Sequence, residues 1–160
     1  RKRLEEEIDR ARRHKRSLAL VVFDLDELKA INDQYGHQTG DAMIRGMGPI
    51  LRSSIRAIDI ISRYGGDEFC VIMPEADEMT CRRFMQRLQG KMADARFPIS
   101  GTREEVNCTI SQGGAVFPVH GEDSAALFRA ADLALLRAKS QGRNQFLIHN
   151  ELPNFEGGTS

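Results

Sequence analysis

Apolar residues recur along the chain in two periods. From 17 to 23 they run almost unbroken, as in a strand buried on both faces. Two shorter, β-branched runs at 58–61 and 69–73 flank the pair Gly65-Gly66. This predicts a hairpin, since glycine accepts the positive φ that a tight turn demands. Val106, Cys108 and Ile110 alternate as in a strand covering 106–117, with Gly113-Gly114 marking a bulge or sharp bend. A last short strand is expected at 145–149.

The helical period supplies the remainder. Leu4, Ile8 and Ala11 give the charged stretch 1–16 an apolar stripe. The first residue already falls inside that helix, which suggests a chain cut from a longer protein. Residues 28–35 read as a short helix stopped by Gly36, and 36–41 as a polar turn. Met43, Met47, Ile50, Leu51 and Ile55 share one face of a helix over 41–56. Gly46, Gly48 and Pro49 within it predict a kink or interruption, because proline removes a backbone donor and crowds the preceding turn. Residues 76–93 form a clear amphipathic helix through Cys81, Phe84, Met85, Leu88 and Met92. Asp123 or Ser124 caps the last one, which carries Leu127, Ala131, Leu135 and Ala138 and ends at Gly142. The sum is an α/β chain, an α+β sandwich of the ferredoxin-like palm kind. Its central sheet is mixed, mainly antiparallel and flanked by helices. Residues 1–150 make one domain, and 151–160 a disordered tail.

Composition narrows the function. Lys+Arg and Asp+Glu both number 23, so the net charge is zero. That argues against a general nucleic-acid or membrane-surface binder, and no DNA or RNA partner is expected. No apolar run reaches the length that spans a bilayer. Cys70, Cys81 and Cys108 lie in apolar segments without metal-ligand spacing. They read as reduced thiols, hence a cytoplasmic domain.

The acids are placed where chemistry happens. Asp24 closes the first buried strand, at the end where open α/β sheets bind ligands. Asp67 and Glu68 follow the two glycines at a turn tip, where bare backbone lets a ligand come close. If the two strands are neighbours, Asp24 and Asp67 meet. Carboxylates from separate elements plus a phosphate suit Mg²⁺, which binds through few protein groups. Solvated turn and cap residues are the alternative. Lys29, Asn32 and Asp33 lie on the next helix, and Asn32 with Asp41 offers groups that can read a guanine edge. Lys139 and Arg143 are four apart around the C-terminus of the last helix. There they either meet a triphosphate or complement the helix dipole.

Four blocks carry a resemblance: Phe23-Asp-Leu-Asp-Glu-Leu-Lys-Ala-Ile-Asn-Asp33, Tyr35-Gly-His-Gln-Thr-Gly-Asp41, Arg63-Tyr-Gly-Gly-Asp-Glu-Phe69 and Ala131-Asp-Leu-Ala-Leu-Leu-Arg-Ala-Lys-Ser-Gln-Gly-Arg-Asn144. In this order and spacing the chain resembles the GGDEF domain of diguanylate cyclases, from its first residues to about Phe146. The resemblance implies condensation of two GTP into cyclic di-GMP with release of pyrophosphate, by a homodimer. It also implies an N-terminal sensor in the parent protein, which an inner-membrane anchor could hold. It assigns Mg²⁺, with Mn²⁺ as a substitute, to Asp24, the Leu25 carbonyl and Asp67. Asp67 is also the candidate base, with Glu68 beside the metal and Lys29 as a transition-state stabiliser. Asn32 and Asp41 match guanine contacts and His37 lines the nucleotide. Gly65 and Gly66 keep the turn low beneath the nucleotide, while Lys139 and Arg143 match phosphate contacts. Arg56-Ala-Ile-Asp59 matches the inhibitory RxxD motif for product, with Arg87 as a second contact.

The chain departs from the family at several points. The usual Asp-x-Leu-Thr-Gly-Leu start is absent, Leu28 replaces an aromatic, and Glu27 lies beside it. Ser111-Gln112-Gly113 stands for Ser-Ile-Gly, Leu136 for a tyrosine, and Pro49 is unusual. A non-catalytic module that binds GTP or cyclic di-GMP is the main rival; a cyclase making another cyclic nucleotide is the second. The intact Asp67-Glu68 pair argues against the first, and Asn32 with Asp41 favours guanine over the second.

Overall fold

Strand β1, Leu18–Leu25, is buried along its whole length in the computed structural model, which describes residues 1–151. It has to be, because it is the middle strand of five. The other strands are β2 (Ile60–Arg63), β3 (Glu68–Pro74), β6 (Ile110–Phe117) and β7 (Phe146–Ile148), in the order β2-β3-β1-β6-β7. Only the β6/β7 pair is parallel; β1 runs antiparallel to both neighbours. A separate ribbon pairs β4 (Phe97–Pro98) with β5 (Glu105–Val106). Five helices cover the sheet: α1 (Lys2–Arg13), α2 (Leu28–Tyr35), α3 (His37–Arg52), α4 (Glu78–Asp94) and α5 (Ser124–Ser140).

The two-residue period of β1 divides the core. Ala19, Val21, Phe23 and Leu25 face the layer of α3 and α4, among Met43, Met47, Leu51, Phe84, Met85 and Leu88. Leu18, Leu20 and Val22 face α1 and α5, among Leu4, Ile8, Leu127, Ala131 and Leu135. Phe23 stacks on Phe69 of β3, ring centroids 5.3 Å apart. Burying a side chain of this size contributes roughly 1.5–3 kcal/mol. Asp24 continues the α5-facing series, so its carboxylate is directed to the helix that carries Lys139. Asp77 caps α4 by accepting from the Thr80 N–H at 2.8 Å, and Asp123 caps α5 likewise from Ala126 at 2.7 Å.

Several expectations are corrected. The helix over 41–56 is neither interrupted at Pro49 nor begun at Asp41: α3 starts at His37 and runs to Arg52. Pro49 is exposed, and so is Arg45, whose carbonyl loses its helical donor to the proline. Water can satisfy that carbonyl, so the helix tolerates the residue. Gly36, at φ 91°, ends α2 and lets α3 begin at once. The strand expected over 106–117 is split between β5 and β6. Gly113-Gly114 is no bulge, since both glycines keep β6 in register with β1 and β7. The expected tail, from residue 152 on, lies outside the described residues. The three cysteines are buried and unbridged, and burial pushes the Cys108 thiol up to about 12, which keeps it protonated. Among the described residues no helix is long and apolar enough to cross a membrane.

At the far end of β6, His120 Nδ1 accepts the Val116 N–H at 2.9 Å. Burial, aided by the neighbouring His149, holds the His120 pKa below its ordinary value, with Glu78 opposing. Only the neutral ring can accept that bond. The unfolded chain therefore binds this proton at a higher pH than the folded one. The contribution is whole above the ordinary histidine value of 6.5 and is lost as pH falls through the depressed one. Urea midpoints are expected to decline from about pH 7.5 to 5.5, and less steeply in His120→Gln. An equal decline in the variant would assign the effect to other groups.

Candidate active site

Three elements converge at one end of the sheet. In the β1–β3 register Asp24 stands opposite Glu68, so Asp67, one residue before β3, comes alongside. On the other side of β1, Asp24 stands opposite Ser111. Lys139, on the last turn of α5, reaches over the sheet and donates to Asp24 Oδ2. Asp24 is 6% exposed and its Oδ1 has no hydrogen-bond partner. Burial pushes its carboxyl up from the ordinary range. Lys139 pulls it back, while the charges of Asp67 and then Asp26 add to the push. A buried oxygen without a donor, beside a second carboxylate, is a place that a cation would stabilise.

Asp26, two residues on, has the opposite fate. Its carboxylate accepts from Thr109 Oγ1 and Ser111 Oγ, both at 2.6 Å, and from the Asn144 N–H at 2.9 Å. It ties the end of β1 to β6 and to the segment after α5. Sequence reasoning named Asp24 and passed over Asp26. The sequence offers two acids two residues apart, on one side of a strand, and nothing in it says which one the fold occupies.

The turn between β2 and β3 spans Tyr64 to Asp67 and closes with the Tyr64 N–H donating to the Glu68 carbonyl at 3.1 Å. The expected positive φ is absent: neither Gly65 nor Gly66 lies in the left-handed region. Gly65 instead leaves room for a side chain. A Cβ there would come within 2.2 Å of Glu68 Oε2, which folds back over it. A Cβ on Gly66 would meet nothing within 4 Å, so one side of the turn is open. Arg63, which sequence reasoning also missed, holds the turn from below. Its Nε donates to the carbonyls of Gly65 and Gly66, each at 3.1 Å. An arginine before two glycines was the available signal.

A second cluster forms at the α2–α3 corner. Asn32 lies so tightly against Gly40 that a Cβ there would fall 1.8 Å from Asn32 Oδ1. That oxygen is buried and unpartnered. Asp41, the next residue, is exposed, as are Lys29 and His37. The early start of α3 thus brings Asp41 onto a helix beside Asn32, which a polar turn would not fix. Arg143 is exposed beyond α5 at φ 62°.

The RxxD segment is a closed local unit. Arg56 donates through Nε and Nη2 to Asp59 Oδ1 at 3.1 and 2.8 Å, and through Nη2 to the Pro74 carbonyl at 2.7 Å. Arg87 of α4 joins it, donating to the Ser54 carbonyl from Nε at 3.1 Å and Nη2 at 2.7 Å. Both guanidinium groups therefore border the turn between α3 and β2.

A family model described as diguanylate cyclase, GGDEF domain, matches residues 1–145. Diguanylate cyclase DgcP of Pseudomonas aeruginosa is 38% identical over 146 residues, which is 91% of this chain. The matched stretch spans 21–35% of the length of such curated relatives. Among solved structures, the GGDEF domain of PA1120 (TpbB or YfiN) from Pseudomonas aeruginosa aligns at TM-score 0.87 and 32% identity. That alignment covers 92% of this chain and 85% of the other. The GGDEF domain of DgcB from Caulobacter crescentus, solved in complex with c-di-GMP, aligns at 0.86 and 26% identity, covering 93% and 87%. The matched stretch includes every strand and helix that shapes the acidic end of the sheet, and on that ground the chain belongs to the diguanylate cyclase GGDEF-domain family.

Proposed function

We propose that this domain condenses two GTP molecules into cyclic di-GMP and releases two pyrophosphates. The observation that carries the reading is the buried, half-partnered Asp24 beside Asp67 under an open glycine turn. In each step the 3′-hydroxyl oxygen of one GTP bonds to the α-phosphorus of the other. The bond from that phosphorus to pyrophosphate breaks, and the hydroxyl proton passes to a base, for which Asp67 is the candidate. Asp24, Asp67 and the Leu25 carbonyl would hold Mg²⁺, or Mn²⁺ in its place. Such an ion offsets charge on the phosphate oxygens and the departing pyrophosphate. Glu68 stands beside that set.

Asn32 and Asp41 orient the guanine, with His37 along the nucleotide and Gly65 and Gly66 beneath it. Lys139 and Arg143 meet the phosphates, and Lys29 stabilises the charge that develops during attack. The product has two equivalent linkages, so two domains face each other about a two-fold axis, one GTP in each. Arg56, Asp59 and Arg87 form the product-binding inhibitory site. An N-terminal sensor in the parent protein sets the dimer, and the domain works in the cytoplasm.

Incubation with GTP and Mg²⁺, followed by chromatography, tests this. Cyclic di-GMP is expected, at a rate rising faster than linearly with protein concentration. GTP or cyclic di-GMP binding without any product would replace the enzyme by a binding module.

A further inference from the structure

Three residues in a row beyond α5 have positive φ: Gly142 at 113°, Arg143 at 62° and Asn144 at 48°. Glycine adopts this region freely and asparagine at little cost, whereas an arginine there costs conformational energy and persists where surrounding contacts fix it. The local contacts are the Arg143 N–H to the Ala138 carbonyl, 3.0 Å, and Gln145 Nε2 to the carbonyls of Gln141 and Arg143. Asp26, just after β1, accepts the Asn144 N–H. Backbone bonds from the Gly142 N–H to the Lys139 carbonyl and from the Gln112 N–H to the Gln145 carbonyl flank it, and a side-chain tie comes from α4, where Gln89 Nε2 donates to Asn144 Oδ1 at 2.9 Å.

Gln89 is not free to turn its amide around. Its Nε2 also donates to the Ile110 carbonyl at 3.1 Å, and its Oε1 accepts from Gln112 Nε2 at 3.0 Å. Gln112 in turn donates to the Met85 carbonyl at 2.9 Å. Backbone carbonyls cannot donate, so both ends of this chain of amides have a fixed polarity. Gln112 must present its NH₂, Gln89 must present its oxygen to it, and the Gln89 NH₂ must then face Asn144. Gln112 is fully buried in β6, and its own Oε1 has no partner. An apolar residue would avoid that desolvation cost, so the glutamine does something that packing alone does not need.

We infer that Gln112 and Gln89 are positioning residues that hold the Gly142-Arg143-Asn144 segment, and through it the Arg143 guanidinium, toward the nucleotide phosphates. The inference rests on the reading of Arg143 as a phosphate contact.

The test is a set of double-mutant cycles read by titration with a nonhydrolysable GTP analogue, with thermal melting alongside. Gln89→Leu, Gln112→Leu and Asn144→Gly are each made alone and with Arg143→Ala. Asn144→Gly still permits the positive φ, removes the side-chain acceptor and lies on the exposed segment, so it reports even if a buried change misfolds the domain. Each single variant is expected to weaken analogue binding roughly five- to tenfold, and less than about twofold once Arg143 is alanine. Equal losses in both backgrounds, or a lower melting point with unchanged affinity, would reduce the amides to a structural tie. If Arg143→Ala weakens binding and the other variants do not, the inference alone fails. If Arg143→Ala has no effect, the phosphate reading of Arg143 fails and takes the inference with it.

Discussion

Asp67→Ala is expected to lower cyclic di-GMP formation by about a thousandfold or more while GTP still binds. Asp67 is half-buried, and its charge already raises the pKa of the buried Asp24. Removing it takes away the candidate base and one of two carboxylates that would share a cation. The Asn32–Asp41 corner and Lys139 remain, so the base contacts proposed for the nucleotide and part of its proposed phosphate contacts would be kept. Relief of carboxylate repulsion should leave the fold no less stable. Turnover measured by chromatography and affinity by analogue titration separate the two effects. Turnover close to that of the unaltered protein would remove Asp67 from the mechanism. Loss of binding and turnover together would instead make it a residue that shapes the turn.

Gly113→Ala should be the most damaging small substitution in the core. A Cβ at Gly113 would lie 2.2 Å from the Ala131 carbonyl oxygen and 2.3 Å from the Leu135 nitrogen. Both are backbone atoms of α5 and cannot rotate away, so the helix must lift from the sheet. Overpacking against fixed backbone costs about 3 kcal/mol or more. Lys139 rides on that helix, so its reach to Asp24 should suffer with the fold. Gly90→Ala on α4 is the control, because a Cβ there meets nothing within 4 Å. It should stabilise by up to ~1 kcal/mol, as alanine does in an exposed helix. Similar urea midpoints for the two variants would show that α5 can shift without penalty.

The same glycine shows where sequence reading reaches its end. Gly113-Gly114 announces that no side chain is wanted, but a bulge and a closely packed helix give that signal alike. At Gly114 the neighbours are instead the sulfurs of Cys81 and Met85, each 3.0 Å from a built Cβ. Hydrophobic period sufficed for β1, β3, α4 and α5, because each buries a wide apolar face. It failed around residues 36–56, where Pro49 looked decisive and is harmless on an exposed turn. In the site, Asp24, Asp67 and Lys139 were legible and the fold brings them together. Asp26 and Gln89 were not, since their work is to bind backbone or other polar side chains, and that depends on partners distant in sequence.

The glycine turn joins two unequal strands. β2 is a four-residue edge strand whose only sheet partner is β3, while β3 is held on its other side by β1 along seven register pairs. Peeling β2 away breaks one four-pair ladder, and Ile60 and Ile61, which pack against the two cores, are only partly buried. Such a fluctuation belongs to the low-energy end of native-state openings. Glu68, the first residue of β3, stays registered on Asp24 with Asp67 next to it, while Gly65 and Gly66 swing with the edge. A nucleotide lying on the turn, as proposed above, would then be loosened from one side only, with Glu68 still registered on Asp24.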